Sequence, residues 1–270
     1  MRQRTITAFF FTLVMLGGIY GGPHTFFALF AFICAGCAWE LGNMMFREED
    51  RFFVLRKVMV TVLTTAFFIA IAGNELSYFQ LSSVSTQAIA CLFFPVLAAT
   101  ELFMAGKKPF PNLGTYLLSL FYIGVPLVLL TAIAQEEVYA PSRVLGLLLL
   151  VWTNDVGAYL LGSRLGKNKL LERISPKKTW EGTLGGAIFA VLGAWGLSYL
   201  ISDFSLPQWL ALSVVAAIGS NIGDLVESML KRSVGVKDSG TLLPGHGGLL
   251  DRFDAFIFCL PFYWLVLQVV

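Results

Sequence analysis

Apolar runs of about 20 residues recur along the whole chain, separated by short polar segments. Nine can be read, at roughly 5–21, 26–46, 54–73, 86–105, 113–134, 143–163, 183–201, 207–230 and 251–269. A helix of about 20 apolar residues spans the hydrocarbon core of a bilayer, and a soluble core of this size has no need of so many unbroken stretches. The pattern predicts an all-α polytopic transmembrane helical bundle of about nine spans. Met-Arg-Gln-Arg before the first run imitates a secretory leader, but the run is long and has no Ala-x-Ala site, so it is read as the first span.

Charge supports this reading and gives it a direction. Only 13% of the 270 residues are charged against 57% hydrophobic, where soluble domains carry about 25% charged residues. With the N-terminus cytoplasmic, the inner segments are 1–4, 47–57, 106–112, 164–182 and 231–252. They hold 18 of the 19 lysines and arginines, Arg143 being the exception. Positive charge is retained on the cytoplasmic side during insertion. The net charge of +2 therefore combines a basic inner face with a nearly neutral outer one. The expected location is integral to a membrane, with the basic face on the cytoplasmic side.

Residues 1–140 read as transmembrane helices joined by short loops, a scaffold or a dimer surface. Their acids Glu40 and Glu101 fall inside spans, where a carboxylate is a functional candidate by default; both also lie near cytoplasmic span ends and can reach the interface. Cys34-Ala-Gly-Cys37 has redox or metal spacing, but sits in an apolar helix without a partner pair and reads as packing. No internal repeat suggests a transporter built from inverted halves.

Residues 141–270 carry the chemistry. Asn154 and Asp155 lie in the sixth span, followed by Arg164 and Lys167. The loop Ser175-Pro176-Lys177-Lys178-Thr179 either anchors anionic lipid heads or binds phosphate through Thr179 and its lysines. Asn221, Asp224, Ser228 and Lys231 are spaced 3, 4 and 3 apart, one helix face over three turns. Asp251 and Asp254 open the last span at i, i+3, and an antiparallel pair of helices brings all these acids together. Carboxylates in lipid must face inward and share cations, and an oxygen-only ligand set suits Mg²⁺. Between them, Pro244-Gly245-His246-Gly247-Gly248 exposes backbone N–H groups to which phosphate can come close. Lys231, Arg232, Lys237 and Arg252 surround that turn with positive charge.

Together these residues resemble the integral-membrane phosphatidate cytidylyltransferases, or CDP-diacylglycerol synthases. The matching positions are Ser228, Lys231, Arg232, Lys237, Asp238, Gly240, His246, Gly247, Gly248, Asp251, Arg252 and Asp254, with Asp155, Tyr159, Gly162, Gly166, Lys167 and the block 175–182 upstream. The specific likeness covers about 150–256.

The resemblance implies transfer of CMP from CTP to phosphatidic acid, with Mg²⁺ and K⁺ as a second ion. It also implies a homodimer in the lipid bilayer, with no nucleic acid among its partners. On that reading Asp224 and Asp251 hold metal, joined by Asp254, with Asn221 and Ser228 as neutral-oxygen ligands. Lys231, Arg232, Lys237 and Arg252 hold the triphosphate; His246 contacts phosphate or orders its loop. Ser175, Lys177, Lys178, Thr179, Lys167, Gly247 and Gly248 bind substrate. Two other classes remain open. A CTP-dependent polyprenol kinase uses the same nucleotide. An ion-coupled transporter explains Asp155, Asp224 and Glu227 within spans, but not a loop rich in Lys, Arg and Gly.

Overall fold

The computed structural model describes residues 2–46, 49, 51–78, 80–104, 108–135, 138–242 and 247–270. His246, Pro244 and Gly245 lie outside the described residues. Helices follow the apolar runs: α1 (Arg2–Tyr20), α2 (Pro23–Met45), α3 (Phe53–Glu75), α4 (Ser83–Met104), α5 (Pro109–Ser119) and α6 (Val125–Ala134), then α7 (Pro141–Leu165), α8 (Trp180–Leu200), α9 (Leu206–Ser233) and α10 (Leu250–Val269). Among the described residues, seven spans are long and apolar enough to cross a membrane: α2, α3, α5 with α6, α7, α8, α9 and α10. In α1 and α4 the apolar stretches Thr7–Tyr20 and Cys91–Met104 are shorter.

Local chemistry explains the joints. Gly22 takes φ +110° between α1 and α2, a left-handed conformation that glycine adopts without steric cost, and Pro23 starts the next helix. α5 runs into α6 through a single π-helical segment, Leu120–Gly124. Pro126 is the second residue after it; lacking an N–H and crowding the preceding turn, it cannot complete a regular ladder, and the wider turn absorbs the mismatch. At α9 a capping box pairs Ser205 with Gln208.

Between α7 and α8 the chain forms an antiparallel hairpin, β1 (Lys169–Leu171) and β2 (Ser175–Thr179), with Lys169 opposite Thr179 and Leu171 opposite Ser175. The sequence reading has only a polar loop there.

α7 and α8 pack through small residues. A Cβ on Gly157 would lie 2.5 Å from Phe189 Cβ, and one on Gly186 would lie 2.6 Å from Asn154 Oδ1. Such close approach is the usual way helices associate in lipid, where no hydrophobic force drives them together. One apolar core joins both halves of the chain: Phe26, Phe30 and Leu41 from α2, Phe68 from α3, Leu127 from α6, Trp209 from α9 and Phe253, Phe256 and Tyr263 from α10. Glu101 is buried, gripped by Arg56 Nε at 2.7 Å and Nη2 at 2.9 Å, with Asn112 and Tyr116 also donating to it. This ionic knot ties α3, α4 and α5 together.

Candidate active site

α9 is 28 residues long, about 42 Å at 1.5 Å per residue, against a hydrocarbon core of about 30 Å. Its final third can therefore lie at the membrane edge, and the polar face sits there. Gly223 lets α10 come close: a Cβ at that position would lie 2.7 Å from Phe258 Cβ and 3.0 Å from Ala255 Cα. As a result Asp224, Glu227 and Asp254 converge, each offering a carboxylate oxygen within 4.8 Å of the others. Glu227 and Asp254 are buried, and Glu227 Oε1 finds no hydrogen-bond partner among the described residues.

Such a group cannot stand as three bare anions. At separations of 4–5 Å, even with an effective dielectric constant of about 20, each pair of like charges costs roughly 3–4 kcal/mol. Two lysines answer it. Lys231 Nζ lies 2.5 Å from both Glu227 Oε2 and Asp251 Oδ1. Lys178, carried in from β2, lies 2.6 Å from Asp224 Oδ2 and donates to the Asn221 carbonyl at 3.1 Å. If all four are ionised, the carboxylates of Asp224, Glu227, Asp251 and Asp254 against the two lysines give a formal charge of −2, a state that a bound cation would favour. That deficit, with a buried orphan oxygen and an all-oxygen donor set, fits a divalent cation.

Asp251 stands apart from the three clustered acids. Its Oδ1 faces Lys231, and its Oδ2 accepts from the Ser239 N–H at 2.9 Å and the Gly248 N–H at 2.8 Å. Gly247, at φ +85°, has no room for a side chain beside that carboxylate: a Cβ would lie 2.8 Å from Asp251 Oδ2. Asn221 and Ser228 flank Asp224, Ser228 Oγ donating to its Oδ1 at 3.4 Å, while Asn221 Oδ1 accepts from Thr183 at 3.5 Å.

The remaining expected site residues divide. Thr179 is buried and caps α8, its hydroxyl accepting from the Gly182 N–H at 3.2 Å. Ser175 sits in the hairpin ladder, and Lys177 and Lys167 are exposed, the Lys167 N–H being held by Glu181. Arg232 is exposed and donates to the Val236 carbonyl at 3.1 Å; Lys237 is exposed on the following loop. Arg252 lines a cavity of about 320 Å³ with Asp155, Asp251 and Asp254. Thr7, Phe11 and Thr12 of α1 and Trp152 of α7 close its other wall, so the first helix borders the acidic group.

Two acids enter the site region that the sequence reading does not place there. Glu227 is i+3 from Asp224 and i−4 from Lys231, a spacing that puts it on their face. Glu40 of α2 is buried and accepts from the Leu249 N–H and the Leu250 N–H, each at 2.9 Å, and from Ser239 Oγ at 2.8 Å. No local signal in the sequence links it to α10.

A profile described as the cytidylyltransferase family matches residues 2–270. A phosphatidate cytidylyltransferase of Staphylococcus haemolyticus is 35% identical over 270 residues, covering 97% of this chain and 96% of its own. One of Bacillus subtilis is 31% identical over 271 residues, covering 100% and 98%. With seven apolar spans and relatives of this kind, the molecule is a multi-pass integral membrane protein.

Proposed function

The chain belongs to the cytidylyltransferase family, and from that premise we propose that it transfers the cytidylyl group of CTP to phosphatidic acid, releasing CDP-diacylglycerol and pyrophosphate. It is an enzyme, a nucleotidyltransferase. The observation that carries the substrate reading is the convergence of Asp224, Glu227 and Asp254 at the α9–α10 crossing, with Asp254 lining a cavity walled by α1 and α7.

The phosphate of phosphatidic acid has a second pKa of about 6 and is already a nucleophile near neutral pH. One of its oxygens attacks the α-phosphorus of CTP, the bond from that phosphorus to the β-bridging oxygen breaks, and pyrophosphate leaves. No strong base is required. The obstacle is repulsion between anions, so the work of the site is positioning and charge neutralisation. Asp224, Glu227 and Asp254 would hold Mg²⁺, which when bound neutralises and polarises phosphate oxygens. The neutral oxygens of Asn221 and Ser228, beside Asp224, suit K⁺ as a second ion. Lys231 is held between Glu227 and Asp251; turning to the triphosphate, it would release Asp251 Oδ1 to join the metal ligands. Lys178, Arg232, Lys237 and Arg252 add positive charge for triphosphate and leaving pyrophosphate, with Lys167, Lys177 and the Gly247-Gly248 turn at the rim.

The Lys- and Arg-rich segments favour the cytoplasmic side of a bacterial inner membrane for this end of the bundle, where CTP is soluble and the lipid head lies at the interface. A second copy of the chain is the expected partner in the bilayer.

The test uses purified protein in detergent with α-labelled CTP, phosphatidic acid and Mg²⁺, beside Asp224→Asn and Asp251→Asn. Label in the lipid phase with wild type and with neither variant supports the reading. Label transferred to a prenol from γ-labelled CTP instead makes it a kinase, and no product from folded protein removes both.

A further inference from the structure

We propose that Glu40 of α2 is a positioning residue for this reaction, holding Ser239 and the first turn of α10 so that Asp251 is presented to the site. The inference rests on the reading of Asp251 as a site residue given above. α10 begins without a cap of its own, since Leu249 at the N-cap position offers no side-chain acceptor. The first N–H groups of any helix need partners. Here they are supplied from about 200 residues upstream, Glu40 Oε1 accepting from Leu249 and Oε2 from Leu250. A carboxylate at a helix N-terminus is favoured both by charge-assisted hydrogen bonds and by the helix dipole.

The same carboxylate reaches the catalytic face through one intermediary. Ser239 Oγ donates to Glu40 Oε2 and accepts from the Asp251 N–H at 3.3 Å, while the Ser239 N–H holds Asp251 Oδ2 at 2.9 Å. Glu40 thus fixes the backbone just ahead of Asp251 and the residue that orients its side chain. Two glycines of the loop motif leave the space this requires. A Cβ on Gly240 would find Glu40 as its three nearest atoms, at 2.5, 2.7 and 3.0 Å, and one on Gly248 would collide with Ser239 Oγ and Glu40 Oε2. In this account the carboxylate of a distant helix, as much as any phosphate, requires glycine at 240 and 248.

Glu101 supplies the comparison: it is also buried, but its partners Arg56, Asn112 and Tyr116 belong to α3 and α5 and not to the helices that carry the acidic group. The experiment takes the full chain in detergent as wild type, Glu40→Gln, Glu101→Gln, Gly240→Ala, Glu40→Ala and the double variant of the last two. Kinetics, thermal unfolding and Mn²⁺ binding by electron paramagnetic resonance are measured on each. Glu40→Gln keeps the shape but puts an amide NH₂ against N–H donors. Outer-shell partners of this kind are worth about 10–100-fold, so kcat is expected to fall in that range with KM for CTP moved far less, and Mn²⁺ binding to weaken several-fold. Glu101→Gln is expected to lower the unfolding midpoint while leaving KM and Mn²⁺ binding in place. Gly240→Ala should reproduce the Glu40→Gln defect, yet cost almost nothing further on the Glu40→Ala background, a coupling that a double-mutant cycle isolates. Wild-type kcat and Mn²⁺ binding in folded Glu40→Gln would overturn the proposal, as would an equal cost of Gly240→Ala on both backgrounds. If wild type itself forms no lipid-linked product, the cytidylyl reading falls, and Mn²⁺ binding and the cycle still decide for or against Glu40.

Discussion

Lys178 of β2 and Asp224 of α9 meet at 2.6 Å, a contact that ties the hairpin to α9. Lys178 Nζ also donates to the Asn221 carbonyl, so a single ammonium joins the loop between α7 and α8 to both an acid and the backbone of the site. The pair is partly open to solvent, with side-chain exposures of 20% and 42%, and pairs of that kind contribute about 1 kcal/mol or less to stability. Its importance should therefore be chemical. Lys178→Met is expected to lower kcat/KM for CTP by at least about tenfold, on the order of 1.4 kcal/mol in the transition state, while shifting the unfolding midpoint little. A large loss of thermal stability with unchanged kinetics would make the contact a structural tie instead.

Thr179 separates two meanings of the same loop. Its hydroxyl is spent on the Gly182 N–H and its side chain is buried, which is the geometry of an N-cap, worth about 1 kcal/mol. Thr179→Val is expected to destabilise by about that amount with KM for CTP unchanged, and Thr179→Ser to restore the loss. A KM raised tenfold in both variants would return Thr179 to the phosphate contacts.

Much of the architecture was legible because lipid enforces it. Every apolar run became helix, since a backbone in hydrocarbon must satisfy its own hydrogen bonds. The helical face Asn221, Asp224, Ser228 and Lys231 was readable for the same reason, as a period of 3.6 fixes who shares a side. The hairpin was not. Its strand Ser-Pro-Lys-Lys-Thr has little β-propensity and pairs with three residues only, so packing of Lys178 and Thr179 against α9 and α8 sets its shape more than sequence preference does. Glu227 was half legible: its spacing was visible, but its burial beside Asp254 depends on the close approach at Gly223. Glu40 was the least legible, because a periodicity reports local faces and its partners lie 199 to 210 residues away.

Arg56 and Glu101 show what a buried ion pair does outside the site. Both side chains are almost fully enclosed, at 0% and 1% exposure, and removing one partner of a buried ion pair costs about 3–5 kcal/mol. Glu101→Gln is expected to show that loss by thermal or denaturant unfolding in detergent. Replacing both residues with apolar ones of similar size, Arg56→Met with Glu101→Leu, should recover most of it, because a well-packed apolar pair needs no compensation. Failure of the double variant to recover would mean that the contacts of Asn112 and Tyr116 to Glu101, and not the ion pair, hold α4 and α5 in place.

Glu227 gives the sharpest expectation, since the same carboxylate should destabilise the metal-free protein and be needed for metal. It is buried against Asp254 and Asp224, with one oxygen on Lys231 and the other without a hydrogen-bond partner among the described residues. Glu227→Gln removes one of the converging charges while Lys231 keeps Asp251. Relief of like-charge repulsion is worth roughly 3–4 kcal/mol per pair at most and is offset by the weaker bond to Lys231. After chelation the variant is therefore expected to unfold at or above the wild-type midpoint. On adding Mg²⁺ the order should reverse: wild type gains stability by binding, by about 2.7 kcal/mol at a hundredfold excess over its Kd, and Glu227→Gln gains much less. Unfolding curves recorded with EDTA and across a Mg²⁺ titration read both halves. Equal Mg²⁺ stabilisation in the two proteins would take Glu227 out of the metal set and leave it as the buried counter-charge of Lys231.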